Sequence, residues 1–348
     1  MQLKYAVIVA LLITALIAVA VPAEAASQYP MTVTDSFGRN ITLDHAPQRI
    51  VSLSSADTEI LFALGAGNRI VGNTMYDDYP PEAVNITHVG GFSDQLSALN
   101  KESIVNLTPD LIIAEDTISE KAVNQLTEMG YPVLMTVNHN ISMIEKNIRL
   151  LGRVTDTENN ATAIMNDMET AFDSIRAKVA NLSDSQKPTV LFMAGYVRDG
   201  EVYVYGADTF GDELIRMAGG KNIVTKPGYP VISSETIIQA DPDCVIIPVD
   251  AAGAMGSEDD FNYFKSGGDS RFSDLSAVKN GNVFKASTLV MHPGPRLPQA
   301  AVEIEKIIEQ MNTEQTNVQP SSTTPGFEMF FALAGLIGAA CIFAGRKH

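Results

Sequence analysis

Apolar residues in the segment 157–182 recur at steps of three and four, the spacing of one buried stripe along a helix. The stripe consists of Ala161, Ile164, Met165, Met168, Phe172, Ile175, Val179 and Leu182. Charged residues occupy the opposite side, at Asp167, Glu169, Asp173, Arg176 and Lys178. No glycine or proline interrupts the segment, so the pattern predicts a helix of about 25 residues that is roughly 38 Å long. An ordinary long surface helix has the same periodicity.

A short motif occurs once on each side of this predicted helix. The pattern Glu-x-Ile-x4-Pro-Asp-x-(Ile/Val)-Ile covers residues 102–113 and 235–246 with identical spacing. Each copy predicts a short helix, a Pro-Asp turn and a buried strand. A repeat that flanks a long helix indicates two similar lobes joined by that helix. Chance similarity of two unrelated helix–strand units is the alternative.

Short apolar runs alternate with helical patterns in both halves of the chain. Strands are predicted at 49–53, 69–72, 111–114 and 133–136, and again at 189–194, 203–205, 245–248 and 282–286. A β-hairpin is predicted at 31–43, and the final helix at 298–311. Strands that alternate with helices predict parallel sheets covered on both faces. We therefore expect a first lobe at 31–155, a bridging helix at 156–183 and a second lobe at 184–311.

Charge and composition exclude several kinds of protein. The 348 residues include 41 acidic and 24 basic side chains, giving a net charge of −17, which argues against nucleic-acid binding. The cysteines, Cys244 and Cys341, both lie in apolar segments, so neither a disulfide framework nor a thiolate metal site is expected. The histidines are dispersed, at His45, His88, His139 and His292 among others, so no metal site is predicted.

The amino terminus has the pattern of an export signal. Lys4 precedes an apolar run at 5–21, and Ala23-Glu24-Ala25 has the small-x-small form of a signal-peptidase site. We expect a signal peptide at 1–25, with an uncleaved membrane anchor as the alternative. No cysteine lies near this site, which excludes a bacterial-type lipoprotein.

The carboxyl terminus combines four features in order. A polar linker at 312–324 is followed by Pro325-Gly326-Phe327, an apolar run at 329–344 and the basic end Arg346-Lys347-His348. The tail at 325–348 resembles the PGF-CTERM sorting signal of archaeal surface proteins. That resemblance implies removal of the tail by an archaeosortase and its replacement by a lipid anchor. A plain carboxyl-terminal membrane helix is the alternative, although the run is short for one. Both interpretations place the folded part outside the cell, anchored to the membrane.

Exported chains can carry sugar on Asn-x-Ser/Thr sequons, and this chain has six. We take as glycosylation candidates Asn40, Asn85, Asn140, Asn160 and Asn181. Asn106 lies inside the repeat, and we expect it to be too buried for modification.

Several motifs together resemble the periplasmic binding proteins of ABC importers for vitamin B12, siderophores and haem, of the cobalamin-binding type. They lie in order at 49–67, 78–83, 150–155, 277–283 and 293–296, the last being Pro-Gly-Pro-Arg. The resemblance covers roughly 31–311. It implies an α/β fold of two Rossmann-like lobes bridged by a single long α-helix, with the ligand between the lobes. It also implies a monomeric carrier, without a cofactor, that serves an ABC permease and, through it, an ATPase.

The resemblance also assigns a role to the repeat. In this family one glutamate on each lobe docks onto arginines of the permease, and by position these are Glu102 and Glu235. Arginine–carboxylate pairs suit such docking because they steer encounter and fix orientation. As an alternative, both are acids at helix N-termini, stabilised by the helix dipole.

Ligand contacts are expected from loops at the carboxyl ends of strands, between the lobes. The candidates are Tyr76, Asp77, Asp78, Tyr79, Phe92, Ser93, Tyr196, Arg198, Met291, His292 and Arg296. Aromatic faces with a few polar groups suit a large flat ligand such as a corrinoid. Each residue is otherwise explained by packing within its loop, and the absence of tryptophan leaves the ligand open.

Two other functions remain at this stage. An Fe(III)-siderophore or haem carrier would need several cations in the cleft, and the loops offer Arg198 and Arg296 alone. An extracellular enzyme on the same fold would need catalytic groups, but the chain has no Gly-x-Ser-x-Gly elbow, no His-Glu-x-x-His and no paired Cys/His site. We therefore predict a corrinoid-binding protein without catalytic residues.

Overall fold

The computed structural model describes residues 28–90, 99–249, 256–265 and 270–317. The predicted signal peptide, the sorting tail, most of the polar linker, and the candidate contacts Phe92 and Ser93 lie outside these residues. No described helix is long and apolar enough to cross a membrane.

The first half of the chain builds a five-stranded parallel sheet. Its strands and helices are β1 (Met31–Thr34), β2 (Asn40–Leu43), β3 (Ile50–Ser52), α1 (Ser55–Ala63), β4 (Ile70–Asn73), β5 (Thr87–His88), α2 (Lys101–Asn106), β6 (Leu111–Glu115), α3 (Glu120–Glu128), β7 (Val133–Thr136) and α4 (Ile141–Val154). The sheet order is β5-β4-β3-β6-β7, and β1 and β2 pair separately as an antiparallel hairpin. The predicted hairpin and the predicted strands of this half are confirmed.

The second half adds antiparallel strands to a parallel core. Its elements are α5 (Glu158–Val179), β8 (Thr189–Arg198), β9 (Glu201–Val204), α6 (Phe210–Met217), β10 (Lys221–Asn222), β11 (Val231–Ser233), α7 (Ser234–Ala240), β12 (Cys244–Pro248), α8 (Glu258–Lys265), α9 (Ser276–Lys279), β13 (Val283–Ala286) and α10 (Leu297–Asn317). The sheet order is β11-β9-β8-β12-β13, with β10 beside β8. Strands β8, β10, β12 and β13 pair in parallel, whereas β9 pairs antiparallel with both of its neighbours, β8 and β11.

Three features of the second half differ from the sequence-based expectation. Strand β8 continues past Ala194 to Arg198 because it forms a hairpin with β9. Strands β10 and β11 were not predicted, since two or three residues are too few to show a period of two. Helix α10 extends past Met311 to Asn317, into the segment predicted as a polar linker. The predicted α/β fold with parallel sheets is confirmed.

The bridging helix α5 has 22 residues, about 33 Å of helix. Its predicted stripe is the buried side, with Phe172 and Ile175 almost fully covered, and its predicted charged side is exposed. The helix packs against α4 from the first half and α6 from the second. Gly152 of α4 permits the close approach, because a Cβ there would lie 2.6 Å from the Cβ of Ala161. One apolar face therefore serves both halves.

The two copies of the repeat make equivalent hydrogen bonds through the aspartate of their Pro-Asp turns. Asp110 accepts hydrogen bonds from the backbone amides of Gln48 and Arg49, just before β3, at 2.8 Å each. Asp243 accepts from the amide and hydroxyl of Thr189, at the start of β8, at 2.8 and 2.7 Å. In each half the aspartate of the Pro-Asp turn thus hydrogen-bonds the start of the parallel strand next to the repeat strand: β3 beside β6, and β8 beside β12. The residue before each proline has a positive φ.

Loss of the hydrogen bonds between Asp243 and Thr189 should destabilise the second half. We expect Asp243→Ala to lower the free energy of unfolding by about 1–3 kcal/mol, because the amide and hydroxyl of Thr189 lose their acceptor. Asp243→Asn keeps one acceptor oxygen and should cost less. The exposed Asp167→Ala serves as control. Urea unfolding followed by circular dichroism measures the differences, and equal midpoints for Asp243→Ala and the control would contradict this role.

Candidate ligand-binding cleft

Four residues of the loop 75–80 were expected to contact the ligand. In the structure one of them is buried and the other three are exposed. Asp77 is buried, with 3% of its surface exposed. Its carboxylate accepts hydrogen bonds from the hydroxyls of Thr58 and Thr74, both at 2.8 Å. It therefore organises the loop, and its oxygens are occupied within the protein. Tyr76, Asp78 and Tyr79 are exposed.

Arg296 is held by two partners. Its guanidinium binds Oε2 of Glu59 in α1 through Nη2 at 2.7 Å and Nε at 3.0 Å. The guanidinium carbon also lies 3.6 Å from the ring centre of Tyr79, a cation–π contact. This arginine, 237 positions from its carboxylate partner, joins the start of α10 to the first half. Because Glu59 neutralises its charge, Arg296 is not a spare cation for an anionic ligand.

Tyr196, Tyr203 and Tyr229 form a stack that we call the tyrosine wall. The rings of Tyr196 and Tyr203 lie 6.3 Å apart with 14° between their planes, and those of Tyr203 and Tyr229 lie 6.2 Å apart with 18° between them. Arg198 covers the outer face of Tyr196 at 4.3 Å. Tyr196 is 44% exposed, whereas Tyr205, which supports Tyr229 from behind, is buried. The wall presents aromatic surface built on β8 and β9.

Three carboxyls gather at the carboxyl ends of the first sheet's central strands, and we call them the acidic cluster. Asp57 lies in the first turn of α1 after β3, Glu115 ends β6, and Asp116 follows it. Glu115 accepts hydrogen bonds from the Ser54 hydroxyl at 3.0 Å and from the Asn138 side-chain amide at 3.1 Å.

The other two carboxyls of the acidic cluster also have partners from neighbouring strand ends. Asp57 accepts a hydrogen bond from the Thr136 hydroxyl at 2.6 Å. Asp116 pairs with His139, 2.9 Å from Oδ2 to Nε2. These donors come from the end of β7 or from the segments that follow β3 and β7, so the cluster depends on the parallel arrangement of the strands.

The protonation states of the acidic cluster are set by burial. Burial, with the nearby charge of Glu115, raises the pKa of Asp57 to about 7. Burial also raises the pKa of Glu115. The hydrogen bond to Asp116 raises the pKa of His139. Burial therefore opposes ionisation of both carboxyls, since a second negative charge would have to be placed in a desolvated site.

The acidic cluster and the tyrosine wall adjoin each other at His139 and Tyr229. The rings of His139 and Tyr229 meet edge to face, 6.0 Å apart. Burial raises the pKa of Tyr229, and the charge of Glu115 raises it further, which places that carboxyl close to the wall. The backbone amide of Phe210 donates to the carbonyl of His139 at 2.7 Å, so the two halves touch at this point. Partly exposed side chains of both groups therefore lie beside this contact, and we take this region as the candidate cleft.

Some of the predicted contact residues lie at or near these two groups. Tyr196 and Arg198 lie on the wall, Tyr79 and Arg296 pair with each other, and Met291 and His292 lie half-buried beside the start of α10. Sequence analysis missed the wall residues Tyr203 and Tyr229 and all three members of the acidic cluster. For Glu115 and Asp116 a signal existed, because polar residues directly follow a buried strand of a parallel sheet. Tyr229 lies in an irregular segment and gave no signal.

The two proposed docking glutamates lie in equivalent positions. Glu102 and Glu235 are exposed residues in the first turns of α2 and α7, whose caps are Asn100 and Ser233. Glu235 forms an ion pair with Arg271 at 2.8 Å, and this partner lowers the pKa of the glutamate. Each helix thus exposes an acidic side chain in its first turn.

The sequons differ in their surroundings. Asn40, Asn85 and Asn181 are exposed, and Asn140 is half-buried and caps α4 by accepting from the amide of Met143. The side-chain nitrogen of Asn160 donates to the carbonyl of Leu64 at 2.8 Å, so the atom that would carry sugar is engaged. The expectation that Asn106 is buried is wrong, because it ends α2 with its side chain in solvent.

Comparison with known proteins identifies the family. The family model described as "Periplasmic binding protein" matches residues 50–288, and the PGF-CTERM motif matches 324–347. The chain belongs to the periplasmic binding protein family. It is similar to an uncharacterized ABC transporter substrate-binding lipoprotein of Bacillus subtilis, with 30% identity over 287 residues, 80% of this chain and 86% of that protein. It is also similar to the cobalamin-binding protein of Halobacterium salinarum, with 29% identity over 349 residues, 92% of this chain and 90% of that one.

Solved structures share the fold. A possible iron-binding protein of Staphylococcus epidermidis has a TM-score of 0.63 at 26% identity, covering 76% of this chain and 99% of that one. The vitamin B12-binding protein of Vibrio cholerae has a TM-score of 0.63 at 22% identity, covering 76% and 98%. A haem-binding protein solved with two haems has a TM-score of 0.63 at 24% identity, covering 76% and 98%.

These findings confirm the coarse functional predictions. The protein is a solute-binding component of an ABC importer and not an enzyme, and its partners are a permease and an ATPase. The PGF-CTERM match confirms an extracellular, surface-anchored protein. Among the described residues no group of three or more His, Cys, Asp or Glu side chains is arranged to hold a metal ion.

The buried Asp57 makes stability depend on pH. The unfolded chain ionises this carboxyl near its ordinary pKa, whereas the folded protein keeps the proton up to about pH 7. The wild-type protein therefore loses stability as the pH rises from about 4 to about 7. We expect Asp57→Asn, which keeps an acceptor for Thr136, to be more stable than wild type by on the order of 1–3 kcal/mol at pH 8 and similar at pH 4.

Urea unfolding at both pH values measures this difference. Asp167→Asn, which removes an exposed carboxyl from α5, is the control and should follow the wild type at both values. If Asp57→Asn follows the wild type as well, the carboxyl is not held protonated by the fold.

Proposed function

We propose that this protein binds a corrinoid of the cobalamin type in the cleft and delivers it to its importer. The observation that carries the proposal is the tyrosine wall, whose partly exposed rings form an aromatic surface. Arg198 lies against Tyr196, and Arg296 is neutralised by Glu59. A flat macrocycle stacks on such a surface through dispersion and apolar contact.

Charge separates the corrinoid from its rivals. The periphery of cobalamin carries neutral amides, whereas haem carries two carboxylates and many ferric siderophores are anionic. Beside the wall lies the acidic cluster, which would repel an anionic ligand unless cations compensated it. The relative named as cobalamin-binding, which aligns over most of this chain, supports the same assignment.

Haem is the second candidate. A tyrosine oxygen can ligate ferric haem iron, and Tyr196 has an exposed side chain at the cleft. Structural neighbours named as haem-binding have the same fold. The tyrosine wall could thus bind haem through its phenol oxygens or a corrinoid through its rings. Substitution of tyrosine by phenylalanine removes the oxygen and keeps the ring, so it separates these two roles.

Calorimetric titration with cyanocobalamin, haem and a ferric siderophore tests the ligand. We expect submicromolar binding of cyanocobalamin. Tyr203→Phe should keep this affinity, because it keeps the ring, and Tyr203→Ala should weaken it about threefold to tenfold. Haem binding that is lost in Tyr196→Phe would instead show a phenolate ligand and overturn the corrinoid assignment. Absence of binding to all three ligands would overturn the assigned cleft.

Delivery to the permease is proposed to use Glu102 and Glu235. Both glutamates are exposed at the ends of short, capped helices, so permease arginines can reach them without unfolding. The continuous helix α5, packed on both halves, limits relative motion to a small closure.

Charge reversal at both positions tests this docking. We expect Glu102→Lys combined with Glu235→Lys to abolish uptake and leave the affinity for ligand unchanged, because like charges would then meet at the permease. Uptake of labelled ligand by cells that carry the importer measures the first effect, and titration measures the second. The double variant Glu128→Lys with Asp167→Lys is the control with the same change in net charge. Retained uptake by the docking variant would refute the assignment.

A further inference from the structure

The polar atoms of the acidic cluster are almost all hydrogen-bond acceptors. The nearby donors are already used, since Ser54 and Asn138 bind Glu115 and Thr136 binds Asp57. An ionised carboxylate has about four lone-pair sites, so Glu115 retains acceptor capacity after these two bonds. The cluster therefore retains unused acceptor sites.

The cluster is also incompletely satisfied. Oδ1 of Asp57 is fully buried, on a residue with 0% of its surface exposed, and it has no hydrogen-bond partner among the described residues. It lies beside Glu115, whose charge acts on it. A buried carboxyl oxygen without a hydrogen-bond partner costs free energy, and so does a pair of adjacent carboxyls. A ligand group that brings N–H donors to Glu115 would draw negative charge away from this pair.

Two of the three acidic residues retain some exposed surface. Glu115 is partly exposed, and the side chain of Asp116 is 22% exposed beside His139. The ring of His139 touches Tyr229, so the acceptors begin where the tyrosine wall ends. A flat ligand stacked on the wall would therefore direct its rim at these two carboxylates.

We propose that Glu115 and Asp116 form a subsite for the N–H groups of neutral amides on the rim of the ligand, and that this subsite rejects ligands with a carboxylate there. The inference rests on the proposed function, because it names which members of the ligand class the cleft selects. An amide N–H completes a hydrogen bond to Glu115, whereas a ligand carboxylate would place oxygen against oxygen in a partly desolvated site.

Paired ligands that differ in one group test the subsite. Cyanocobalamin is compared with its separated monocarboxylic acids, in each of which one peripheral amide has become a carboxylate. We expect the wild-type protein to bind cyanocobalamin about tenfold or more tightly than at least one of these acids. Glu115→Gln, which presents an amide donor, should reduce that ratio at least about tenfold for the same acid.

Asp116→Asn is the second variant, so the test does not depend on the folding of Glu115→Gln. Glu128→Gln is the matched control. It removes the same charge from the same half, at the end of α3, next to the start of β7 and so at the opposite edge of the sheet. Its ratio should equal that of the wild type. Ratios unchanged in both Glu115→Gln and Asp116→Asn would overturn the subsite, even if cyanocobalamin binds tightly.

A second ligand pair separates failure of this inference from failure of the proposed function. Haem is compared with haem dimethyl ester, which lacks the free carboxylates. If cyanocobalamin does not bind but the ester is preferred over haem, and Glu115→Gln removes that preference, the proposed corrinoid is wrong and the subsite stands. If neither pair shows a preference that depends on Glu115 or Asp116, the subsite is wrong.

Discussion

The cleft depends on one constraint, the common direction of strands β3, β6 and β7. Because these parallel strands end at the same edge, the residues that follow them are brought together although they are far apart in sequence. Ser54 and Asp57 follow β3, Glu115 ends β6, and Asn138 follows β7. Without that shared edge the carboxyls would lack the donors that allow them to be buried, and each would have to be exposed to water. The hydrogen bonding of the acidic cluster thus depends first on the strand arrangement of the sheet and only then on the conformation of the loops.

The second half supplies an aromatic surface rather than an acidic one, and it does so through an antiparallel pair of strands. Strand β8 extends beyond the parallel core and turns back as β9, and this antiparallel arm carries Tyr196 and Tyr203 outward. Tyr229, which lies outside any strand, completes the stack next to His139. A parallel strand would have led into a covering helix at that point. The departure from parallel order is therefore what makes room for an aromatic wall beside the acidic cluster.

Sequence analysis predicted most of the fold because its signals are local. The stripe of α5 and the apolar runs of the parallel strands each span enough residues to show a period. The acidic cluster could not be derived in the same way, since Asp57 resembles any acid in the first turn of a helix until Glu115 and Thr136 are placed beside it. Arg296 shows the reverse case, because it is prominent in a loop motif yet its charge is neutralised by Glu59. A local sequence pattern does not reveal which distant residue a side chain will contact in the fold.

The cations near the proposed functional surfaces are used within the protein, and this bears on both ligand and permease. Arg198 lies on Tyr196, Arg296 is paired with Glu59, and Arg271 holds Glu235. A permease arginine that docks on the second half must therefore compete with Arg271, whereas Glu102 has no ion pair among the described residues. An exposed pair of this kind is worth little, so the competition costs little and leaves Glu235 oriented beforehand. Among the described residues, the two groups on which the proposed function rests are aromatic rings and hydrogen-bond acceptors, in keeping with the flat, amide-bearing ligand proposed above.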